Sequence, residues 1–456
     1  GMFLSRFPLS PFIPLFLHFA LLLRPSYSFS PIRTLRLNQT YSISIETGAS
    51  VCVGMLRTQG GVQDSYYIIG GDGGQFSSNP DEDMYWLDTL YPEDPSVEID
   101  VKEFVETSCV YKFHKIVLYS YETQRDLLPQ IVSLAIHFNA VPVAIEDDLG
   151  SGETVVFDAS KTWDGFTPAQ SVEYILDNYS ATFAKDKLVK TNPGYSYAHD
   201  HPLNYTLTGR IAYSVLDFAA ENKIFTFFLP TGCVPFTDDH KVHERVIKTF
   251  SSDGGQGKPI TVFGYDNSVP LFGGDTYEAE TNCVREHNMG QVASHIPNIG
   301  FHLVGEKDPV ADLPFVPKER ESKVYDASKV YVAIIVGDGD NFWHLKYSHH
   351  TYMDQRKEKC NENPESCFPM AWSMSPEAAR SGRMADVVNN LFARMKSSGG
   401  DDRIVLPPSG SLYSYPGMMS DVGQEEYIEG MDEDLKNYGT RMSVHWEWFY
   451  DWMHTV

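Results

Sequence analysis

Two acids one residue apart, Asp338 and Asp340, stand in the run Gly337-Asp338-Gly339-Asp340-Asn341-Phe342-Trp343, and Glu447 lies between Trp446 and Trp448. Paired carboxylates flanked by aromatics are what hydrolysis of a glycosidic bond requires. One acid protonates the leaving oxygen, and the second carboxylate acts as nucleophile or activates water. Here Asp338 or Asp340 is expected to pair with Glu447, at a separation within about 10 Å, because even inverting enzymes keep the two groups in that range. Asn341 and Ser409 are candidates to bond sugar hydroxyls, and Trp343, Trp372, Tyr413 and Tyr415 to hold the ring, with His445 beside Glu447. The same loop has a rival use. Asp338, Asp340 and Asn341 are hard oxygen ligands suited to calcium, although the full EF-hand series is missing. No cofactor or metal is otherwise expected. Taken singly, the Asp-Gly-Asp-Asn run also fits a plain turn.

Chemistry of this kind needs elements that bring separate segments together. From residue 256 onward, apolar strand candidates end in polar or aromatic residues. Residues 331–336 read as a fully buried parallel strand running into Asp338 and Asp340. Residues 368–372 lead to Trp372 and Ser373, then to a helix of about five turns reaching Lys396. Residues 403–406 lead into Pro407-Pro408-Ser409-Gly410-Ser411-Leu412-Tyr413-Ser414-Tyr415-Pro416, and residues 442–448 contain His445 and Glu447. Strands separated by helices imply a parallel sheet or a β/α barrel, with the chemistry at the carboxyl ends of the strands.

Upstream, strand 115–119, helix 126–138 and strand 141–145 give a βαβ rhythm. Thr167-Pro168 is a helix start, with Thr as cap and Pro in the first turn. The glycine-rich 70–74 lacks the ending of a phosphate loop and reads as a plain loop. Asp238, Asp239, His240, His243 and Glu244 match no zinc spacing and read as a helix capped by Thr237.

Gly410-Ser411-Leu412-Tyr413-Ser414-Tyr415-Pro416 resembles the Gly-x-Gly-Tyr-x-Tyr-Pro motif that names the GxGYxYP putative glycoside hydrolases, with Leu412 at the family's second glycine. The Gly337–Asn341 loop, Trp372-Ser373, residues 298–303, Met55-Leu56 and Tyr85-Trp86-Leu87 are similar to the same family. The resemblance implies N-terminal α/β (βαβ) domains followed by a β/α-barrel-like C-terminal domain that hydrolyses poly- or oligosaccharide. The expected organisation is a signal peptide at 1–28, α/β domains at 29–152 and 153–255, and a barrel-like catalytic domain at 256–456. That last domain is expected to be incomplete, with about six strand candidates where a full barrel has eight strands and roughly 250 residues, and an open sheet is the alternative. A leucine in place of the glycine predicts a loop less open to a sugar, and a member that binds without cleaving. The alternative, a non-catalytic carbohydrate-binding or calcium-stabilised surface protein, needs only the aromatics, whereas an enzyme needs two carboxyl groups facing each other across a pocket beside Tyr413 and Tyr415.

A formal net charge of −25 argues against nucleic acid and anionic membranes as partners and leaves neutral carbohydrate open. The apolar run 12–23, followed by Ser26-Tyr27-Ser28, predicts a cleaved signal peptide and a secreted or lumenal protein, with an uncleaved anchor as the alternative. Sequons at Asn38, Asn178 and Asn204 agree with that compartment. The chain has six cysteines. In an oxidising compartment they permit three bridges, and Cys360 and Cys367, flanking a polar loop, are the expected local pair.

Overall fold

Parallel strands alternating with helices recur along the chain in the computed structural model, which describes residues 31–37, 42–59, 66–70, 80–92, 96–147, 149, 153–193, 195–198, 201–207, 215–254, 259–265, 289–294, 296–301, 325–379, 384–397 and 402–444. The expected leader 1–28, Asn38, most of the glycine-rich 70–74, and His445 and Glu447 lie outside the described residues.

The first parallel sheet has the order β2-β1-β3, from β1 (Ile32–Arg36), β2 (Tyr66–Ile69) and β3 (Ser96–Ile99). The second, ordered β5-β4-β6, comprises β4 (Lys115–Tyr119), β5 (Val141–Ala144) and β6 (Thr154–Asp158). Its crossover helix, Leu128–Phe138, buries an almost unbroken apolar face. That helix stops at Asn139, whose left-handed φ of 52° ends the hydrogen-bond ladder. β7 (Lys187–Thr191) starts the third layer. β8 (Tyr195–Ala198) and β9 (His201–Leu207) form a separate antiparallel pair. β10 (Phe225–Phe227), β11 (Ile260–Tyr265) and β12 (Met289–Ala293) join β7 in a parallel sheet ordered β10-β7-β11-β12. The last sheet is β13 (Ile335–Val336), β14 (Ala371–Ser373) and β15 (Arg403–Val405), in sequence order.

β6 pairs with β4 across position 152, and β11 and β12 pair with β7 and each other rather than with the strands after 325. Local patterning marks these strands but cannot say which sheet receives them, because pairing is decided by partners far away in the chain. The barrel is also not confirmed: among the described residues the C-terminal sheet has three strands. Residues 331–336 were expected to be buried, yet only Ile335–Val336 form strand, and Val332 and Ile335 are exposed. Among the described residues β13 pairs only with β14, so its outer edge and faces lack the layers that bury a central parallel strand.

Helix caps follow the sequence closely. Thr167 and Gln170 form a reciprocal capping box, and Thr237 caps Asp238–Phe250 by accepting from His240 N. Cys360–Cys367 is bridged as expected, and Cys52–Cys109 is a second disulfide. Among the described residues no helix is long and apolar enough to cross a membrane.

A buried ion pair joins the first unit to the C-terminal one. Lys346 Nζ lies 2.5 Å from Asp83 Oδ1, and both side chains are fully buried. The remaining capacity of the carboxylate is used by Tyr347 OH at 2.9 Å and Gly70 N at 2.9 Å, while Trp86 Nε1 donates to Lys346 O at 2.5 Å. Asn298 makes a second junction, donating to Ile68 O at 2.6 Å and accepting from Ile68 N at 2.9 Å. It thereby imitates a strand neighbour, at a left-handed φ of 66°. Arg57 links it to the middle unit, donating to Asn298 Oδ1 at 3.0 Å and to Asp217 Oδ2 at 2.7 Å. Lys346→Met leaves Asp83 charged and buried, so it should cost about 3–5 kcal/mol in urea denaturation. Arg36→Ala, which breaks a half-exposed pair with Glu98, should cost less than about 1 kcal/mol.

Candidate functional site

The carboxyl ends of β13, β14 and β15 meet through short polar contacts. Gly339 N donates to Ser373 Oγ at 2.9 Å, and Ser373 Oγ donates to Val336 O at 2.8 Å. Ser375 N donates to Gly339 O at 2.8 Å, and Met374 N to Val405 O at 3.2 Å. A Cβ on residue 339 would stand 1.9 Å from Ser373 O, so only glycine lets this loop lie on the end of β14. Just before it, Asp338 adopts a left-handed φ of 59°, which a short polar side chain tolerates.

That backbone path separates the two acids. The Asp338 side chain is 75% exposed, with His344 Nε2 at 3.7 Å from its Oδ2. Asp340 keeps some surface exposure, but its carboxyl lies deep among surrounding atoms. Desolvation, aided by the charge of Asp338 and opposed by a backbone N–H, pushes its pKa up to about 7. A carboxyl that holds its proton near neutrality can donate it. Asn341 accepts from Trp343 N at 2.9 Å and caps the short helix Phe342–His344, so one of the three oxygens proposed for calcium already serves the backbone. Among the described residues no group of three or more His, Cys, Asp or Glu is placed to hold an ion.

The other expected residues divide. Trp372 is buried and donates from Nε1 to Asp402 Oδ2 at 3.0 Å, so its ring lies in the core. Asp402 also receives Arg356 Nε at 2.9 Å and Met370 N at 3.0 Å. Burial opposes its charge, but these donors hold the carboxyl below the usual range. Ser409 is buried and its hydroxyl donates to Ser414 O at 2.5 Å, which fixes the loop from within.

The loop's prolines explain its path. Gly410 N donates to Pro407 O at 2.8 Å, with Pro408 at the first corner and Ser409 at a left-handed φ of 59°, the type II pattern. The chain then reaches the edge of the middle sheet. Gln291 N donates to Tyr413 O at 2.8 Å and Tyr413 N to Gln291 O at 2.9 Å, an antiparallel bridge. Leu412 packs on Gly290 in β12, where an added Cβ would lie 2.3 Å from Leu412 Cβ. Thus the leucine at the motif's second glycine position is a packing residue. Tyr413 and the buried Tyr415 stand with ring centroids 6.1 Å apart at 74°. The helix Phe342–His344 also packs beside β12, so loops from β13 and β15 converge on one middle-sheet strand.

Residues 442–444 extend the arrangement. Leu406 N donates to Met442 O at 3.0 Å, Val444 N to Leu406 O at 2.9 Å and Ser409 N to Val444 O at 3.0 Å, in a parallel bridge beside β15. Sequence reasoning missed Ser373 as the staple of the acidic loop, Asp402 as the anchor of Trp372, and Gln291. It also missed Glu377, a buried carboxylate beginning the helix Pro376–Ala379 directly after β14. The Pro-Glu pair one step past a strand end was the available signal. Glu377 helps line a cleft of about 550 Å³ with Ser411, Leu412, Glu426, Glu433 and Asp434, which neither Asp338 nor Asp340 lines. Because Asp340 has the perturbed proton affinity, the strand-end loop rather than this cleft is the better candidate for chemistry.

These elements define an α/β protein with parallel sheets and a candidate site at the carboxyl ends of its last strands. Residues 328–449 match the model of the GxGYxYP putative glycoside hydrolase C-terminal domain. The chain is also similar to a solved putative hydrolase from Bacteroides thetaiotaomicron VPI-5482, at 16% identity and a TM-score of 0.59 over 90% of this chain and 69% of that one. At that identity the likeness concerns fold alone. No curated protein matches the chain.

The Leu412–Gly290 contact should behave as a coupled pair. Gly290→Ala alone should destabilise by about 1–3 kcal/mol through overpacking. In a Leu412→Gly background that penalty should largely vanish, as read from a double-mutant cycle of urea midpoints.

Proposed function

We propose that this protein hydrolyses a glycosidic bond in a poly- or oligosaccharide, with Asp340 as general acid. The observation that carries the reading is a carboxyl whose pKa is raised to about 7 at a parallel-strand end, beside the exposed carboxylate of Asp338. The C-terminal family match and the hydrolase-like fold support it. The second carboxylate in this reading is Glu447. Its support is its place in the sequence directly after residues 442–444, which run parallel beside β15. The consecutive order β13-β14-β15 followed by 442–444 is that of an arc of a β/α barrel. Disulfides Cys52–Cys109 and Cys360–Cys367 support a secreted or lumenal setting.

Oligosaccharides from cellulose, xylan, mannan and chitin provide the test. Asp340→Asn should lower kcat on the active substrate by about 10²–10⁴-fold. Because the protonated acid is the competent form, wild-type kcat should fall as pH rises through about 7, the range set by burial of Asp340. Glu447→Gln should be comparably impaired. Full activity in Asp340→Asn, or a basic limb unmoved by that substitution, would remove Asp340 from the mechanism.

A further inference from the structure

We infer that Gln291, on edge strand β12 of the middle sheet, is the polar reader of a saccharide subsite shared with Tyr413. The inference rests on the carbohydrate reading above and assigns that site a residue from outside the C-terminal region. Gln291 and Tyr413 exchange both backbone hydrogen bonds, at 2.8 and 2.9 Å. In such an antiparallel pair the opposed side chains stand on the same face, near enough to share one ligand. Neighbouring residues point to the opposite face, which is where Leu412 meets Gly290. The docked loop therefore has a packing side, Leu412 on Gly290, and a second side carrying Gln291 and Tyr413, with the Tyr415 ring 6.1 Å from that of Tyr413. The helix that bears Trp343 packs beside the same strand.

The independent observation is the Gln291 carboxamide. The residue is only 4% exposed, and its Nε2 is buried with no hydrogen-bond partner among the described residues. A buried donor in that state favours any ligand that brings it an acceptor. The chemistry of the ligand follows from the pair. An aromatic side chain offers its face to the C–H surface of a pyranose, while a carboxamide bonds a hydroxyl at its edge. A hydroxyl both donates and accepts, so it satisfies the amide in either flipped orientation, whereas a carboxylate suits only one. The subsite thus fits a neutral sugar ring.

The test titrates cellohexaose, xylohexaose, mannohexaose and chitohexaose into the full chain carrying Asp340→Asn, so that turnover does not deplete the probe. Calorimetry gives the affinity, and the side-chain amide signal of Gln291 in ¹⁵N spectra reports contact without altering that residue. For at least one hexasaccharide, the Gln291 amide signal should move on binding. Gln291→Met, close in shape but without donors, should weaken the same probe roughly five- to tenfold with a melting temperature no lower than the parent's. Equal affinity in Gln291→Met, or an amide signal unmoved at saturation, would overturn the inference while leaving hydrolysis through Asp340 intact. Failure of all four probes to bind would contradict the carbohydrate reading and this inference together.

Discussion

The candidate site depends on an edge strand being closed by a loop from another part of the chain. Among the described residues β12 is the last strand of the middle sheet, and such an edge presents unpaired N–H and C=O groups. Tyr413 satisfies two of them, and Leu412 fills the space that Gly290 leaves open. Without that contact, the tyrosine loop would be anchored by its own turn, by the hydrogen bonds that Ser409 makes, and by Ser411, which donates to Asp434 and accepts from Ser375. With it, the C-terminal strand ends acquire a fixed neighbour, and the aromatic side of the loop is held against a sheet it does not belong to. The Asp83–Lys346 pair serves the same end from the other direction, tying the β13 loop region to the first unit. A buried pair gains little net stability over apolar packing, but it is costly to break and tolerates few alternative arrangements.

The acidic loop shows how a modest backbone constraint sets chemistry. Gly339 rests on the carbonyl of Ser373, and the left-handed turn at Asp338 places one carboxyl in water and the next among protein atoms. Two aspartates of the same intrinsic acidity then meet different environments. That division of roles is what general acid catalysis beside a charged partner needs. Ser373 is the small residue on which this depends, since its hydroxyl both receives the Gly339 amide and returns to the end of β13.

Much of the local structure was legible in the sequence. The Thr167 cap, the Thr237 cap, the β4–helix–β5 crossover and the Cys360–Cys367 bridge follow from residues close together in the chain. The acidic loop, Trp343 and the tyrosine loop were legible as strand-end residues, and the fold brings the helix that bears Trp343 and the tyrosine loop beside β12. What was not legible is long-range. Nothing near Trp372 announces that Asp402 will claim its indole nitrogen, thirty residues on. Nothing near Gly290 announces that Leu412 will cover it. Which sheet receives β6, β11 and β12 was not legible for the same reason, as strand pattern records burial and not partner. The apolar run 331–336 misled differently: its composition fits a central strand, while among the described residues it lies at an edge.

The central claim is that the fold keeps a proton on Asp340 near neutral pH. It is tested most directly by following the carboxyl ¹³C signal of Asp340 through a pH titration, with Asp340→Asn identifying the resonance. The account predicts a midpoint at about 7, set first by desolvation and then by Asp338. A midpoint in the ordinary aspartate range, at about 4, would contradict it.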